Sequence, residues 1–253
     1  MHAHASRKAL IWTAVCLSLW LCNSAYAGPG YWTTGGPYGG DVRALAIDPT
    51  RPTVLWAGTP TGIFKTKDSG HTWAAANTGL TNLSVTTLAI APRDPGGPAT
   101  LYAGTSGGIF KSTDSGGTWA AANAGLTPDY VYTLAIDPTN AATLYASTML
   151  GVFKSSDAGA TWVSASSGLT DTYPYVQALA IDPVTPATLY AGTGGGVFKS
   201  TDSAGTWTAA IIGGVVNTLA IDPTKPATLY AGTLDGIIKS TDSGATWVPQ
   251  VCG

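Results

Sequence analysis

Five copies of one eight-residue pattern constrain this chain more than any other feature. The octets read TKDSGHTW at 66–73, STDSGGTW at 112–119, SSDAGATW at 155–162, STDSAGTW at 200–207 and STDSGATW at 240–247. A second string, LAIDP or LAIAP, starts at residues 45, 88, 134, 179 and 219, so successive units begin 43, 46, 45 and 40 residues apart. Periods of about 40 to 50 residues are typical of propeller blades.

Each unit holds four short segments of strand-like composition, such as YTLAID, TLYAGT, GIFKST and TWAAAN. They are rich in β-branched and aromatic residues and are bounded by Asp-Pro, Gly-Gly or Asp-Ser-Gly turns, whereas no window keeps a helical period. A four-stranded sheet that is apolar on both faces must stack against neighbours, and radial stacking gives a propeller. An open solenoid needs polar capping repeats, which the sequence lacks. The sequence therefore predicts an all-β fold, a β-propeller of four-stranded antiparallel blades.

The repeat count predicts five blades. The N-terminal piece YWTTGGPYGGDVRALAIDP, residues 31–49, also matches the tail and link of a unit, with Trp32 in the place of the octet tryptophan. It predicts one extra outer strand that lies beside the last blade and latches the ring. Six or more blades completed by a partner chain, or a fragment of a longer gene, remain alternatives.

The N-terminal stretch predicts secretion. Arg7 and Lys8 precede an apolar run at 9–22, and Ala25-Tyr26-Ala27 has the small-x-small pattern of a cleavage site. The run is shorter than the roughly 20 residues of a membrane span. We therefore predict a signal peptide at 1–27 and a single propeller domain at 28–253, secreted or periplasmic in a bacterium, with no membrane span after cleavage.

Composition excludes several kinds of function for residues 28–253. Charged residues make up 10% of the chain, all 14 acids are aspartate, and no basic cluster is present, so a nucleic-acid partner is not expected. His71 is the one histidine of that stretch, which argues against a histidine metal cluster or catalytic triad. Cys252 is its one cysteine, so no intramolecular disulfide forms there. We expect neither a metal nor a cofactor.

The octet S-x-D-x-G-x-T-W, placed between the third and fourth strands of a unit, resembles the Asp-box or BNR repeat. That repeat occurs in the propellers of sialidases, sortilin-type receptors, xyloglucan hydrolases and photosystem II assembly factors. The resemblance covers nearly all of residues 28–253 and implies a propeller fold. It implies little about activity, because those proteins have unrelated functions.

Physically, the octet is typical of a hairpin turn rather than of a binding site. A short carboxylate accepts backbone N–H bonds inside the turn, a glycine supplies the positive φ, and the tryptophan fills space between hairpins. Ala204 replaces that glycine in the fourth octet, which predicts an altered turn there. One carboxylate per octet is too few for calcium, which takes six to eight oxygens. The predicted structural residues are Asp68, Trp73, Asp114, Trp119, Asp157, Trp162, Asp202, Trp207, Asp242 and Trp247, with Asp48, Asp137, Asp182 and Asp222 in the IDP turns.

A binding site is expected where the copies differ. In an antiparallel blade the IDP turns and the octets share one face, and the opposite face carries the second-to-third turns and the links between blades; we call this opposite face the variable face. An aromatic and acidic rim there is suited to stacking on sugar rings or gripping a peptide. Tyrosines that only pack against the neighbouring blade are the equally weighted alternative. The candidate ligand-binding residues are Tyr38, Asp41, Tyr130, Tyr132, Tyr173, Tyr175 and Asp235.

These observations favour a secreted, non-enzymatic propeller that binds a protein or a glycan through the variable face. The alternative is a glycoside hydrolase that uses two aspartates, with Asp129 and Asp171 in adjacent links as weak candidates. Sialidase activity is disfavoured because the resemblance implies an arginine triad and a tyrosine with a glutamate partner. The chain has no glutamate, and its arginines after residue 27 are Arg43, Arg51 and Arg93.

Overall fold

The structure, a computed structural model, describes residues 36–37, 41–92, 96–127, 130–170 and 175–250. These residues form twenty β-strands and no helix. The first blade contains β1 (Ala44–Ile47), β2 (Leu55–Thr59), β3 (Gly62–Thr66) and β4 (Ala74–Ala75); the second, β5 (Val85–Ile90), β6 (Leu101–Thr105), β7 (Gly108–Ser112) and β8 (Ala120–Ala121). The third contains β9 (Thr133–Ile136), β10 (Leu144–Thr148), β11 (Gly151–Ser155) and β12 (Val163–Ser164). The fourth contains β13 (Ala178–Ile181), β14 (Leu189–Thr193), β15 (Gly196–Ser200) and β16 (Thr208–Ile212); the fifth, β17 (Val216–Ile221), β18 (Leu229–Thr233), β19 (Gly236–Ser240) and β20 (Val248–Gln250).

Each blade is an antiparallel sheet whose four strands pair in chain order, as predicted. The second and third strands form a tight hairpin, in which Thr105 pairs with Gly108 in the second blade. Gly108 has a φ of 111°, and a Cβ there would meet the Asn123 amide at 2.5 Å. That amide accepts a hydrogen bond from the Ile109 N–H at 2.5 Å, so the glycine lets the tail of the blade close over its own hairpin.

The blades pack in chain order, and the core lies between them. The first strand of each blade contacts the first strand of the next. In each of four junctions an aromatic and a branched aliphatic residue of one blade pack among residues of the following blade. At the second junction Tyr102 and Ile109 meet Leu144, Phe153 and Trp162 of the third blade. Similar clusters occupy the other three junctions.

The two ends of this series do not pack in the same way. Leu45 and Ile47 of the first blade are 55% and 56% exposed, and Ile237 of the fifth is 53% exposed. The residues equivalent to Ile237 in the other blades are fully buried: Ile63, Ile109, Val152 and Val197. Five blades are therefore present as predicted, but within the described residues the fifth does not seal against the first. The predicted N-terminal latch strand and the predicted signal peptide lie outside the described residues.

The IDP turns and the octets lie on the same face, as the strand order requires. Ser69 of the first octet donates its N–H to the Thr53 carbonyl in the preceding IDP turn, at 3.0 Å. The IDP aspartates organise their own turns: Asp48 Oδ1 accepts the Thr50 N–H at 3.0 Å. Asp137, Asp182 and Asp222 accept the equivalent bond at 2.8 Å. These aspartates have the structural role that the sequence predicts.

Candidate functional site

The octet carboxylates are occupied within their own turns. Asp114 accepts the Thr118 N–H and the Ser112 hydroxyl at 2.8 Å on Oδ1, and the Thr118 hydroxyl at 2.8 Å on Oδ2. The Ser112 hydroxyl in turn accepts the Gly116 N–H at 2.8 Å. The other four octets repeat this set with their own Ser or Thr residues. Each of these carboxylates therefore bonds groups of its own octet, and a structural role for them stays a prediction.

Hydrogen bonding keeps the octet carboxylates ionised. The backbone N–H of Thr118, followed by the Ser112 and Thr118 hydroxyls, lowers the pKa of Asp114 to about 2. Equivalent donors lower the pKa of Asp157, Asp202 and Asp242 to about 2, and the pKa of Asp68 is also lowered. A general acid must hold its proton near the working pH. These five carboxylates are therefore unsuited to acid catalysis.

Each octet contains two consecutive left-handed residues, of which the sequence indicated only the second. Ser115 and Gly116 have φ values of 61° and 81°. In the fourth octet Ser203 and Ala204 keep φ values of 60° and 66°, and the Ala204 N–H still donates to the Ser200 hydroxyl at 3.0 Å. The altered turn predicted for this octet is therefore wrong. Two flanking anchors, Asp202 and Ser200, hold alanine in a conformation that otherwise favours glycine.

The first left-handed residue turns its carbonyl toward the preceding blade. The Ala158 carbonyl accepts the Tyr102 hydroxyl at 2.9 Å and Lys111 Nζ at 2.8 Å. Lys111 Nζ also lies 5.5 Å from the centroid of the Tyr102 ring, and burial raises the pKa of Tyr102 to about 12. The same aromatic–lysine pair meets the carbonyls of Ser115, Ser203 and Ser243 at the other junctions.

Sequence reasoning missed this aromatic–lysine pair. Its signal is present in the repeat, because every unit carries an aromatic residue in the TLYAGT segment and a lysine in the GIFKST segment. The octet thus fastens two blades as well as closing its own turn. Its function in the fold is to present a backbone carbonyl.

The octet tryptophans divide into two groups. Trp119, Trp162 and Trp207 are nearly fully buried, and each donates its indole N–H to a carbonyl in the tail of the preceding blade at 2.8–2.9 Å. Trp73 and Trp247 are only partly buried and donate to the glycine carbonyl of their own turns, at 3.1 and 3.2 Å. The sequence predicts that all five octet tryptophans pack between blades. Only Trp119, Trp162 and Trp207 are nearly fully buried there. Trp247 still packs at the edge of the fourth junction.

One buried valine anchors each link on the variable face. Val85, Val131, Val176 and Val216 are all at most 1% exposed. At the second junction Val131 approaches Gly104 of the preceding blade so closely that a Cβ on the glycine would lie 2.7 Å from Cγ1. Val42 has the same spacing to the LAI string in the first unit. The residues on either side of each valine are less buried than the valine itself. They are not all turned away from the junction, because Thr86 donates its hydroxyl to the Val131 carbonyl of the next link at 2.6 Å.

We call these flanking residues the rim. In blade order they are Asp41 and Arg43, Ser84 and Thr86, Tyr130 and Tyr132, Tyr175 and Gln177, and Val215 and Asn217. The fold tolerates serine, threonine, valine or asparagine at these positions. The links can therefore form without tyrosine at these positions, although the tyrosines present here do contact the neighbouring link. Sequence reasoning missed Gln177 and Asn217; aligning the links on their valines identifies both.

The structure brings three of the predicted tyrosines together. The Tyr130 and Tyr132 ring centroids lie 4.9 Å apart, and Tyr132 meets Tyr175 of the next link edge-to-face at 6.1 Å. Burial, followed by the two neighbouring tyrosines, raises the pKa of Tyr132. Tyr130 remains 38% exposed. The exposed side chains of Met149 and Leu150 occupy the β10–β11 turn at the same end of the third blade. The three tyrosines thus form an aromatic patch between the links of the third and fourth blades.

The acidic candidates are not part of this patch. Asp41 forms an ion pair with Arg43 at 3.0 Å beside the first blade, and Asp235 lies in the β18–β19 turn of the fifth. Tyr38, Tyr173, Asp129 and Asp171 lie outside the described residues. Within the described residues no group of three or more His, Cys, Asp or Glu side chains has a metal-binding arrangement. In the same part of the chain, no helix is long and apolar enough to cross a membrane.

Two repeated grooves occur away from the variable face. One, of about 380 Å³, is lined by Lys111, Trp119 and Asn123 with the third octet. The other, of about 370 Å³, has the same position one blade later, between Lys154 and the fourth octet. Since each groove lies where a lysine reaches the next octet, we attribute both to blade packing.

Comparison with known structures supports the fold. The chain is 22% identical to an ancestral GH74 enzyme with a TM-score of 0.67, covering 87% of this chain and 31% of that one. It is 20% identical to the GH74 xyloglucanase of Xanthomonas campestris with a TM-score of 0.65, covering 81% and 37%. The extracellular domain of a protein described as a one-component system of B. thetaiotaomicron is 19% identical with a TM-score of 0.69, covering 89% and 30%.

No protein-family model and no curated protein matches the chain. The chain spans about a third of the length of these structural neighbours. At this level of identity the comparisons show a shared architecture, the β-propeller built from four-stranded antiparallel blades.

Proposed function

We propose that this protein is a secreted, non-enzymatic propeller that binds a ligand through the rim, with the octets acting as structural Asp-box turns. The observation that carries the proposal is the Tyr130–Tyr132–Tyr175 cluster, which spans two links and combines one exposed with two half-buried aromatic rings. Residues 1–27 would direct secretion. Likeness to extracellular domains supports that location.

A neutral glycan fits the rim better than a charged ligand. Aromatic rings stack on the apolar faces of sugars, and the exposed amides of Gln177 and Asn217, in the links of the fourth and fifth blades, can hydrogen-bond hydroxyl groups. From the second to the fifth blade, no rim residue named above carries a charge. A protein ligand with an exposed apolar segment is the second candidate, favoured by Met149 and Leu150.

The test is titration calorimetry of the purified protein with neutral plant and bacterial oligosaccharides. We expect Tyr132→Ala and Tyr175→Ala each to weaken binding about tenfold, since an aromatic contact is worth about 0.5–1.5 kcal/mol beyond its buried area. Val163→Ala, an exposed change on the outer strand of the third blade, should leave affinity unchanged. Equal binding by wild type and both tyrosine variants would reject the rim as the site.

Glycoside hydrolysis is the alternative function, suggested by the GH74 neighbours. Asp129 precedes Tyr130 directly and Asp171 lies four residues before Tyr175, so both belong to links that carry the tyrosine cluster. An inverting enzyme separates its two carboxyl groups by about 6.5–9.5 Å. Release of reducing sugar that disappears in both Asp129→Asn and Asp171→Asn would establish this alternative and overturn the non-enzymatic proposal.

A further inference from the structure

The junction between blades is built from two complementary halves, and each end of the described chain carries one of them. The donor half is an aromatic residue, a lysine and a branched aliphatic residue. The acceptor half is the octet carbonyl of the next blade, its LAI strand and the valine of its link. Four complete junctions join five blades, which leaves one donor half on the fifth blade and one acceptor half on the first.

The fifth blade presents its donor half to solvent. Lys239 Nζ lies 5.3 Å from the Tyr230 ring centroid, as in the complete junctions. In the complete junctions the equivalent aromatic residue and lysine both donate to an octet carbonyl of the next blade. Among the described residues no such carbonyl accepts a bond from Tyr230 or Lys239. Tyr230 is 39% exposed, whereas Tyr102, Tyr145 and Tyr190 are at most 1% exposed. Within the described residues the aromatic–lysine pair is therefore assembled without its acceptor.

The first blade presents the acceptor half. Ser69 has a φ of 59°, so its carbonyl has the orientation that Ser115 and Ala158 use to accept the preceding blade. No donor within the described residues reaches the Ser69 carbonyl. Leu45 and Ile47 are more than half exposed, while their equivalents Leu88 and Ile90 pack into the first junction.

We propose that the fifth blade of one copy binds the first blade of a second copy, with Tyr230 and Lys239 bonding the carbonyl of Ser69 of the second copy. The two exposed faces are the two halves of a contact that this chain already makes four times, so a second copy supplies the missing half of each. A contact between different faces of identical chains is heterologous and leaves one of each face free.

The geometry of this contact predicts an open assembly. A typical ring holds about four to eight blades, so two five-bladed copies exceed one flat ring. The second copy must therefore be displaced along the propeller axis, and further copies add in the same direction. Association should then increase steadily with protein concentration and not stop at a closed dimer.

Sedimentation velocity over a concentration series tests the assembly. We expect the weight-average mass of the wild type to rise with concentration and that of Ile237→Arg to stay at one chain, since the charge would be buried in the contact. Val248→Arg, an equally exposed change on the outer strand β20 of the same blade, should associate like the wild type. A wild type that is monomeric throughout, or an Ile237→Arg variant that still associates, overturns the proposal.

Cysteine cross-linking identifies the faces. In complete junctions a Cβ built at Gly58, Gly104 or Gly192 lies 3.2–3.3 Å from the valine Cβ of the next link, close to the separation of about 3.5–4.5 Å in a disulfide. The equivalent pair across the open faces is Gly232 and Val42. With Cys16, Cys22 and Cys252 changed to serine, the chain that carries both Gly232→Cys and Val42→Cys should form disulfide-linked multimers.

The matched control is Gly104→Cys with Val131→Cys, which should cross-link within one chain. Gly232→Cys alone should form no multimers. An intramolecular disulfide between the cysteines introduced at positions 42 and 232 would show instead that the ring closes on itself. Absence of any cross-link while the control pair forms would show that the faces do not meet. Either result overturns the proposal, and neither bears on ligand binding at the rim.

Discussion

The second junction and the open face of the fifth blade contain the same kinds of residue but differ in what those residues contact. At the junction, the Tyr102 hydroxyl and Lys111 both bond the Ala158 carbonyl. On the open face, Tyr230 and Lys239 keep their mutual contact while the tyrosine stays 39% exposed. Each repeat therefore specifies only one half of the contact between two blades. The stabilisation appears only when the following blade supplies the other half.

The largest difference is expected between two octet tryptophans. Trp162→Ala should lower the free energy of unfolding by about 3–5 kcal/mol, because the indole is 2% exposed and bonds the Ala122 carbonyl of the preceding blade. Trp73→Ala should cost clearly less, since this indole is partly exposed and bonds only its own turn. Urea denaturation of both variants measures the difference. Equal decreases in the free energy of unfolding would show that packing in a junction does not increase the contribution of an octet tryptophan to stability.

The second-largest effect is expected from low pH, which should lower the stability of the protein by protonating the octet carboxylates. These carboxylates have pKa values lowered to about 2 in the folded protein, below the value of about 3.9 for an unperturbed aspartate. A lowered folded pKa contributes stability that is complete above the unfolded pKa and is lost as pH falls through the folded pKa. The melting temperature should therefore fall between about pH 4 and pH 2.

Two substitutions test whether this loss of stability at low pH depends on the junction between blades. Asp157 holds the turn whose carbonyl the second blade uses, whereas Asp68 holds the turn of the open first blade. We expect Asp157→Asn to lower the melting temperature at pH 7 more than Asp68→Asn, and both to reduce the acid-induced loss. A melting temperature that is flat from pH 4 to pH 2 would contradict the role given to these carboxylates.

The smallest difference is expected for single hydroxyl groups. Tyr102→Phe should cost about 0.5–1.5 kcal/mol, because it removes the donor to the Ala158 carbonyl at a buried site. Tyr230→Phe should leave the stability of the dilute, monomeric protein unchanged. Chemical denaturation at a single low concentration compares the two. A measurable loss for Tyr230→Phe in the monomer would mean that the fifth blade finds its acceptor within the same chain.

Some of the candidate site could be predicted from the sequence and some could not. The Tyr130–Tyr132–Tyr175 patch follows from the rule that links and second-to-third turns share a face, so residues that differ between copies converge there. Gln177 and Asn217 were missed because their positions become equivalent to those of the tyrosines only when the links are aligned on the buried valines. The sequence predicts Asp41 and Asp235 on the same face as the tyrosines, yet these aspartates belong to the first and fifth blades. The strand order predicts which face of the propeller a residue lies on, but it does not predict how far apart two residues of that face lie around the propeller axis.

By itself the sequence determined the local structure of this protein. Strand composition, turn residues and the period of 40 to 46 residues were sufficient for five four-stranded antiparallel sheets, because these features depend on neighbours within about 50 residues. Only the tertiary structure decided which half-contacts are completed. It buried Trp119, Trp162 and Trp207 but left Trp73 partly exposed, and it left Leu45 and Ile237 open to solvent. The physical reason is that identical repeats carry identical chemistry, while burial depends on the rotation between blades, which is a property of the whole stack.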